Sequence, residues 1–263
     1  MISYTFTYEN LLHLLLVFAR ITAFVAVAPL IGGQNTGVTN TVKVGFSVLL
    51  SVLLVGTVPR EELVYSSVAG YAVIVIKEVV CGLIIGFAAQ ICLQVTAIAG
   101  QVVDMMSGLS MMTMFDPTTG SQVTITGTIY SQVFMTMMIV SGMYRYLFMA
   151  LADSYHWIPL NGIVLREDSF VVTITAFLRN FFVIGFRVAL PVFIVTFVLN
   201  IVLGVLAKVA PQMNMFAVGI QIKVLTGLGI LFMTAGMLGS AADFILRNMR
   251  TLMEQFIRAM SSV

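Results

Sequence analysis

Polar residues in this chain are confined to short breaks between long apolar runs, which lie at 11–31, 44–58, 69–99, 123–151, 171–207 and 215–240. None of the runs shows the strict alternation that marks a strand, and a helix crossing a bilayer needs about 20 mostly apolar residues. The pattern therefore predicts an all-α integral membrane protein with about six hydrophobic segments. The runs that begin at Ala69 and Val171 exceed one bilayer thickness. Each must tilt, kink, or protrude into water or a partner.

Composition sharpens this reading. Hydrophobic residues make up 60% of the 263 and charged residues 9%, against a charged share of roughly 25% in a soluble domain. That leaves no room for a sizeable soluble domain. The sequence Ala26-Val27-Ala28 has the form of a signal-peptide cleavage site. However, Met1 to Asn10 carries Glu9 and no Lys or Arg, and Pro29 would follow the cut. The first segment is therefore expected to stay in the mature protein. Cys81 and Cys92 fall in one helical run, about 16 Å apart along a straight helix, too far for a disulfide. With six spans, Arg60, Arg166, Arg247, Arg250 and Arg258 share one side of the membrane and Lys43 and Lys208 the other. The positive-inside rule then puts the C-terminus in the cytoplasm.

Six cations remain inside the hydrophobic runs: Arg20, Lys77, Arg145, Arg179, Arg187 and Lys223. Each costs about 2.5–3.5 kcal/mol at a bilayer centre. For Arg20, Arg145 and Arg179, snorkelling toward a helix end is expected. Lys77 and Glu78 are neighbours that point to different helix faces, so each needs a partner elsewhere. These two, with Arg187 and Lys223, are candidates for subunit contacts. A transporter using Lys77, Glu78, Asp104 and Arg187 for ion coupling is the rival reading, but the internal repeat common in such folds is not evident. Gly82 and Gly86 form a G-x-x-x-G pattern suited to close helix packing.

The stretch from Gly108 to Gln122 mixes turn residues, Asp116-Pro117-Thr118-Thr119-Gly120, with Met111, Met112, Met114 and Phe115. Nine of the 18 methionines fall in this stretch or its flanks. Unbranched Met side chains repack around irregular surfaces, and irregular backbone at membrane depth is tolerated only against protein or a water-filled cavity. Met111, Met112, Met114, Phe115, Asp116 and Pro117 are thus expected to form an adaptable seal. No catalytic constellation is found. His13 and His156 are isolated, no Cys/His/acid cluster has metal-ligand spacing, and no cofactor or nucleic-acid partner is indicated. Trp157, with Tyr155 and His156, fits an aromatic belt at a membrane surface.

Read in order, several blocks resemble the FliR family, whose counterpart in virulence type III secretion is SctT. They are Arg20-Ile21-Thr22-Ala23-Phe24 with Ala28-Pro29, Val42-Lys43-Val44-Gly45, Glu78 with Gly82, and Gly86-Phe87 with Gly100 and Gly108. Phe115-Asp116-Pro117 to Gly120-Ser121-Gln122 follows, and then Ala210-Pro211-Gln212-Met213-Asn214-Met215-Phe216 with Gly219 and Lys223. Gln221 departs from the family's usual Pro. The resemblance implies helical hairpins within a larger helical assembly, built with FliP and FliQ and joined by FlhB and FlhA. It implies a FliP-like part over 1–170, with a plug loop near 108–122, and a FliQ-like hairpin and tail over 171–263. It further implies a non-enzymatic channel subunit in the bacterial inner membrane, at the flagellar basal body, through which unfolded flagellar proteins pass. An injectisome homologue is the narrower alternative.

Overall fold

The computed structural model describes residues 8–32, 37–59, 67–110, 124–163, 167–212 and 214–261, and every element among them is helical. In chain order they are α1 (Tyr8–Val27), α2 (Asn40–Leu54), α3 (Val68–Ser107), α4 (Ile125–Val140), α5 (Tyr144–Trp157), α6 (Glu167–Val209), α7 (Met215–Thr234) and α8 (Leu238–Met260). A short 3₁₀ turn, Ala235–Met237, links the last two.

Every expected apolar run has become helix, but the expectation of six spans needs correction. Among the described residues, four helical stretches are long and apolar enough to cross a membrane, and a fifth counts only if a broken pair is one span. The first cause is length: α2 has 15 residues, about 22 Å, short of a hydrocarbon core of about 30 Å. The second is a break. Gly142, at φ 72°, follows α4 in a left-handed conformation that glycine adopts freely, and α5 starts as a separate helix at Tyr144. The expected tail is also helical. In α8, Ala242, Ile245, Leu246, Met249, Leu252, Met253, Phe256, Ile257 and Met260 are buried, a three-and-four spacing that makes one apolar face.

The chain divides into two compact units. One holds Met1–Ile91, Gly142–Phe177 and Arg247–Val263, the other Cys92–Ser141 and Leu178–Leu246. In the first, α1 and α3 run parallel, since contacts climb both helices together. Tyr71 donates its hydroxyl to the Leu12 carbonyl at 3.0 Å, Arg20 meets Glu78, and Gly86 lies against Phe24. Leu16, Ile21, Phe24, Ile85, Leu147, Leu151 and Ile158 fill the space between.

In the second unit, α3 and α4 form an antiparallel hairpin fastened near its loop. The Thr96 and Ser131 hydroxyls lie 3.2 Å apart, and Gly100 abuts the Gly127 backbone, leaving no room for a Cβ. The core beside this hairpin is Val103, Ala189 and Val192, with Val102, Ile230 and Leu231 packed on it.

Candidate functional site

The densest polar site of the first unit is built around Arg20, whose side chain is wholly buried. Its Nε donates to Glu78 Oε2 at 2.6 Å, Nη1 to Ser154 Oγ at 3.3 Å, and Nη2 to the Ile158 carbonyl at 3.0 Å. The guanidinium carbon lies 4.2 Å from the centre of the Tyr155 ring, a cation–π contact. Tyr155 in turn donates to the Val17 carbonyl at 3.2 Å. The other Glu78 oxygen, Oε1, accepts the Asn161 backbone N–H at 3.0 Å, and Lys77 Nζ donates to Asn161 Oδ1 at 3.0 Å. Asn161 can serve both because its φ of 67° is one that Asn tolerates better than most residues. A buried ion pair holds only when its remaining lone pairs and protons are also satisfied, and here the last turn of α5 and the turn after it supply those partners.

This arrangement corrects the snorkelling expected of Arg20. Its charge does not reach the helix end; it turns inward to a carboxylate 58 residues away. Lys77 and Glu78, adjacent in sequence, both address Asn161, one through its side chain and the other through its backbone.

A second polar feature lies in the other unit. Asp104, with 2% exposure, accepts the Thr126 N–H at 3.1 Å on Oδ2 and 3.3 Å on Oδ1. The carboxylate of α3 thereby caps the first turn of α4, where free N–H groups and the helix dipole favour negative charge. Gly108, at φ 77°, ends α3. Met111, Met112, Met114, Phe115, Asp116 and Pro117 lie outside the described residues.

The remaining candidates are dispersed. Gly82 sits against the Arg20 carbonyl and 3.1 Å, measured from where its Cβ would be, from Ala23 Cβ; Gly86 is placed likewise 2.9 Å from the Phe24 carbonyl oxygen. Arg187 is exposed and Lys223 half-buried. Arg145 and Arg179 are exposed. Among the described residues the ion pairs are Arg20–Glu78 and Arg250–Glu254, and no three His, Cys, Asp or Glu side chains converge on a metal position.

Sequence reading missed Ser154, Ile158 and Asn161 as partners of the Arg20–Glu78 pair, since nothing local to them signals it. It also missed the cleft between α5 and α8, where the Arg250 guanidinium lies 4.8 Å from the Tyr146 ring centre and that of Arg258 5.4 Å from Trp157. The apolar spacing of α8 was a usable signal for that helix.

Long apolar helices, charge paired inside the bundle and apolar side chains left outward define an all-α integral membrane protein. The chain belongs to the FliR family: the model of bacterial export proteins, family 1, matches residues 11–249. Among its relatives, the flagellar biosynthetic protein FliR of Pectobacterium carotovorum is 26% identical, with 93% of this chain and 92% of that one aligned. FliR of Bacillus subtilis is 29% identical over 80% of this chain and 81% of its own. FliR of Escherichia coli is 24% identical over 81% and 80%.

Proposed function

We propose that this chain, a membrane-embedded component of the flagellar export apparatus by its family, is a non-enzymatic subunit of the export gate. In this reading it assembles with FliP and FliQ, meets FlhB and FlhA, and helps form the channel through which unfolded flagellar proteins cross the bacterial inner membrane at the basal body. The observation that carries the reading is unpartnered apolar length. The apolar stretch Val171–Val209 of α6 runs 39 residues, and an 18-residue apolar window within it is 17% buried inside the chain; Ala217–Met260, across α7 and α8, runs 44 residues and holds an 18-residue window that is 6% buried. An α-helix of 39 residues is about 58 Å long, nearly twice a hydrocarbon core of about 30 Å. Lipid covers only part of such a helix, and other helices must cover the rest. The division into a FliP-like part over 1–170 and a FliQ-like part over 171–263 belongs to the same proposal.

Native mass spectrometry of the tagged chain, purified in mild detergent from its own host, tests the assembly. A discrete complex with FliP-like and FliQ-like chains is expected. A stable monomer, from cells shown to express those partners, would overturn the gate reading and favour a transporter.

The sealing role of 108–122 is proposed alongside. Replacing Met111, Met112 and Met114 together with Gly removes the adaptable apolar side chains. The assembled complex is then expected to leak small solutes in a vesicle efflux assay while its subunit composition holds. Wild-type efflux from an intact variant complex would remove the seal.

A further inference from the structure

In the second unit a cavity of about 410 Å³ opens beside the middle of α6. Arg187 and Pro191 form one wall, Tyr130 another, and Thr234, Met237 and Ala241 line the 3₁₀ break and the start of α8. The polar hydroxyls on that far side are already engaged: Thr234 donates to the Ile230 carbonyl at 2.9 Å and Ser240 to the Met237 carbonyl at 2.9 Å. Arg187 is different. It is exposed, and no carboxylate among the described residues pairs with it. Pro191, inside the helix, has no N–H to give the carbonyl four residues earlier, which is that of Arg187. One residue therefore presents both an unpaired cation and a carbonyl without its helical donor.

The surroundings decide what answers it. Phe182, Val183, Phe186, Leu190, Ile194 and Val195 are exposed around Arg187, so an acyl chain there would leave the guanidinium without any acceptor, a costly arrangement. A lipid phosphate stays at the membrane surface. Arg187 is 16 residues from Val171 and 22 from Val209, the ends of the apolar stretch, or about 24 and 33 Å along the helix. If Arg187 stood level with the headgroups, about half of α6 would protrude as bare apolar helix, which again calls for protein. Both placements lead to the same occupant.

We propose that this cavity receives an apolar helix of a partner subunit carrying an Asp or Glu side chain, whose carboxylate pairs with Arg187. This deepens the gate reading and rests on it. Bidentate guanidinium–carboxylate pairing fixes the register of two otherwise slippery apolar helices, so Arg187 sets where the partner stops along α6. An ammonium lacks the planar fork, so Arg187→Lys is expected to retain assembly only in part.

The test uses the full chain co-expressed with its partner subunits. Arg187→Glu is expected to lower the yield of complex at least tenfold while the chain's level in the membrane holds, and a partner variant with its matching acid changed to Lys is expected to restore it. A photo-crosslinking residue at Ala241, in an otherwise unaltered chain, is expected to capture a partner peptide containing an acid within an apolar stretch. That second measurement stands even if Arg187→Glu fails to fold. A wild-type yield of complex with Arg187→Glu would overturn the proposal, as would crosslinks at Ala241 confined to lipid or to peptides without an acid. Recovery of the unaltered chain without any partner would instead overturn the gate reading itself.

Discussion

Replacing Glu78 with Ala is expected to destabilise the chain by about 3–5 kcal/mol, the cost of leaving a buried charge uncompensated. Arg20 is completely enclosed, so without Glu78 its guanidinium keeps only the Ser154 hydroxyl, the Ile158 carbonyl and the Tyr155 face, all neutral. The loss should extend beyond the pair, because the Glu78 carboxylate also holds the Asn161 N–H that shapes the turn after α5. The control is the double change Arg20→Met with Glu78→Leu, which removes both charges and fills similar volume. Replacing a buried pair with apolar side chains is often neutral or stabilising, so the double variant should recover most of the loss. Denaturation midpoints in detergent, followed by near-ultraviolet circular dichroism, give the comparison. A loss of only about 0.5 kcal/mol for Glu78→Ala, the size of a surface substitution, would mean that water reaches Arg20 in the native state.

Gly82→Leu is expected to separate α1 from α3. A Cβ at that position lands on the Arg20 carbonyl oxygen, part of the α1 backbone and unable to swing aside as a side-chain tip would. Overfilling a packed interface costs about 1–3 kcal/mol, and here the helix that must move also carries Arg20, so the ion pair is strained with it. Gly45 offers the matched control: it lies in α2 with nothing within 4 Å of where a Cβ would stand, and Gly→Leu in an open helix site gains up to about 1 kcal/mol from propensity. The expected result is opposite signs at the two positions in thermal unfolding. Equal shifts would show that α1 and α3 do not depend on close backbone contact at Gly82.

The helices were legible in the sequence because apolar runs and the polar breaks between them are local properties. Their number as spans was not, because two details decide it. The run 44–58 yields only the 15-residue α2, too short to cross, and Gly142 breaks the run 123–151 into two helices, which hydropathy does not register. The amphipathic α8 was overlooked although its buried positions recur at helical spacing from Ala242 to Met260. Its polar face lowers its hydropathy below that of the apolar runs. The site around Arg20 was legible only in part. That Lys77 and Glu78 need separate partners follows from helix geometry. Which partners they find does not, since Asn161 is 84 and 83 residues away and enters through a backbone conformation that side-chain chemistry does not announce.

The distances along the chain within that site also set an order of events during synthesis. Arg20 is made 58 residues before Glu78 and 138 before Ile158. At roughly 5–20 residues per second, the ribosome takes on the order of 3–12 seconds to deliver the carboxylate and about 7–28 seconds to deliver the carbonyl. For that interval the first helix carries a lone cation that the bilayer resists.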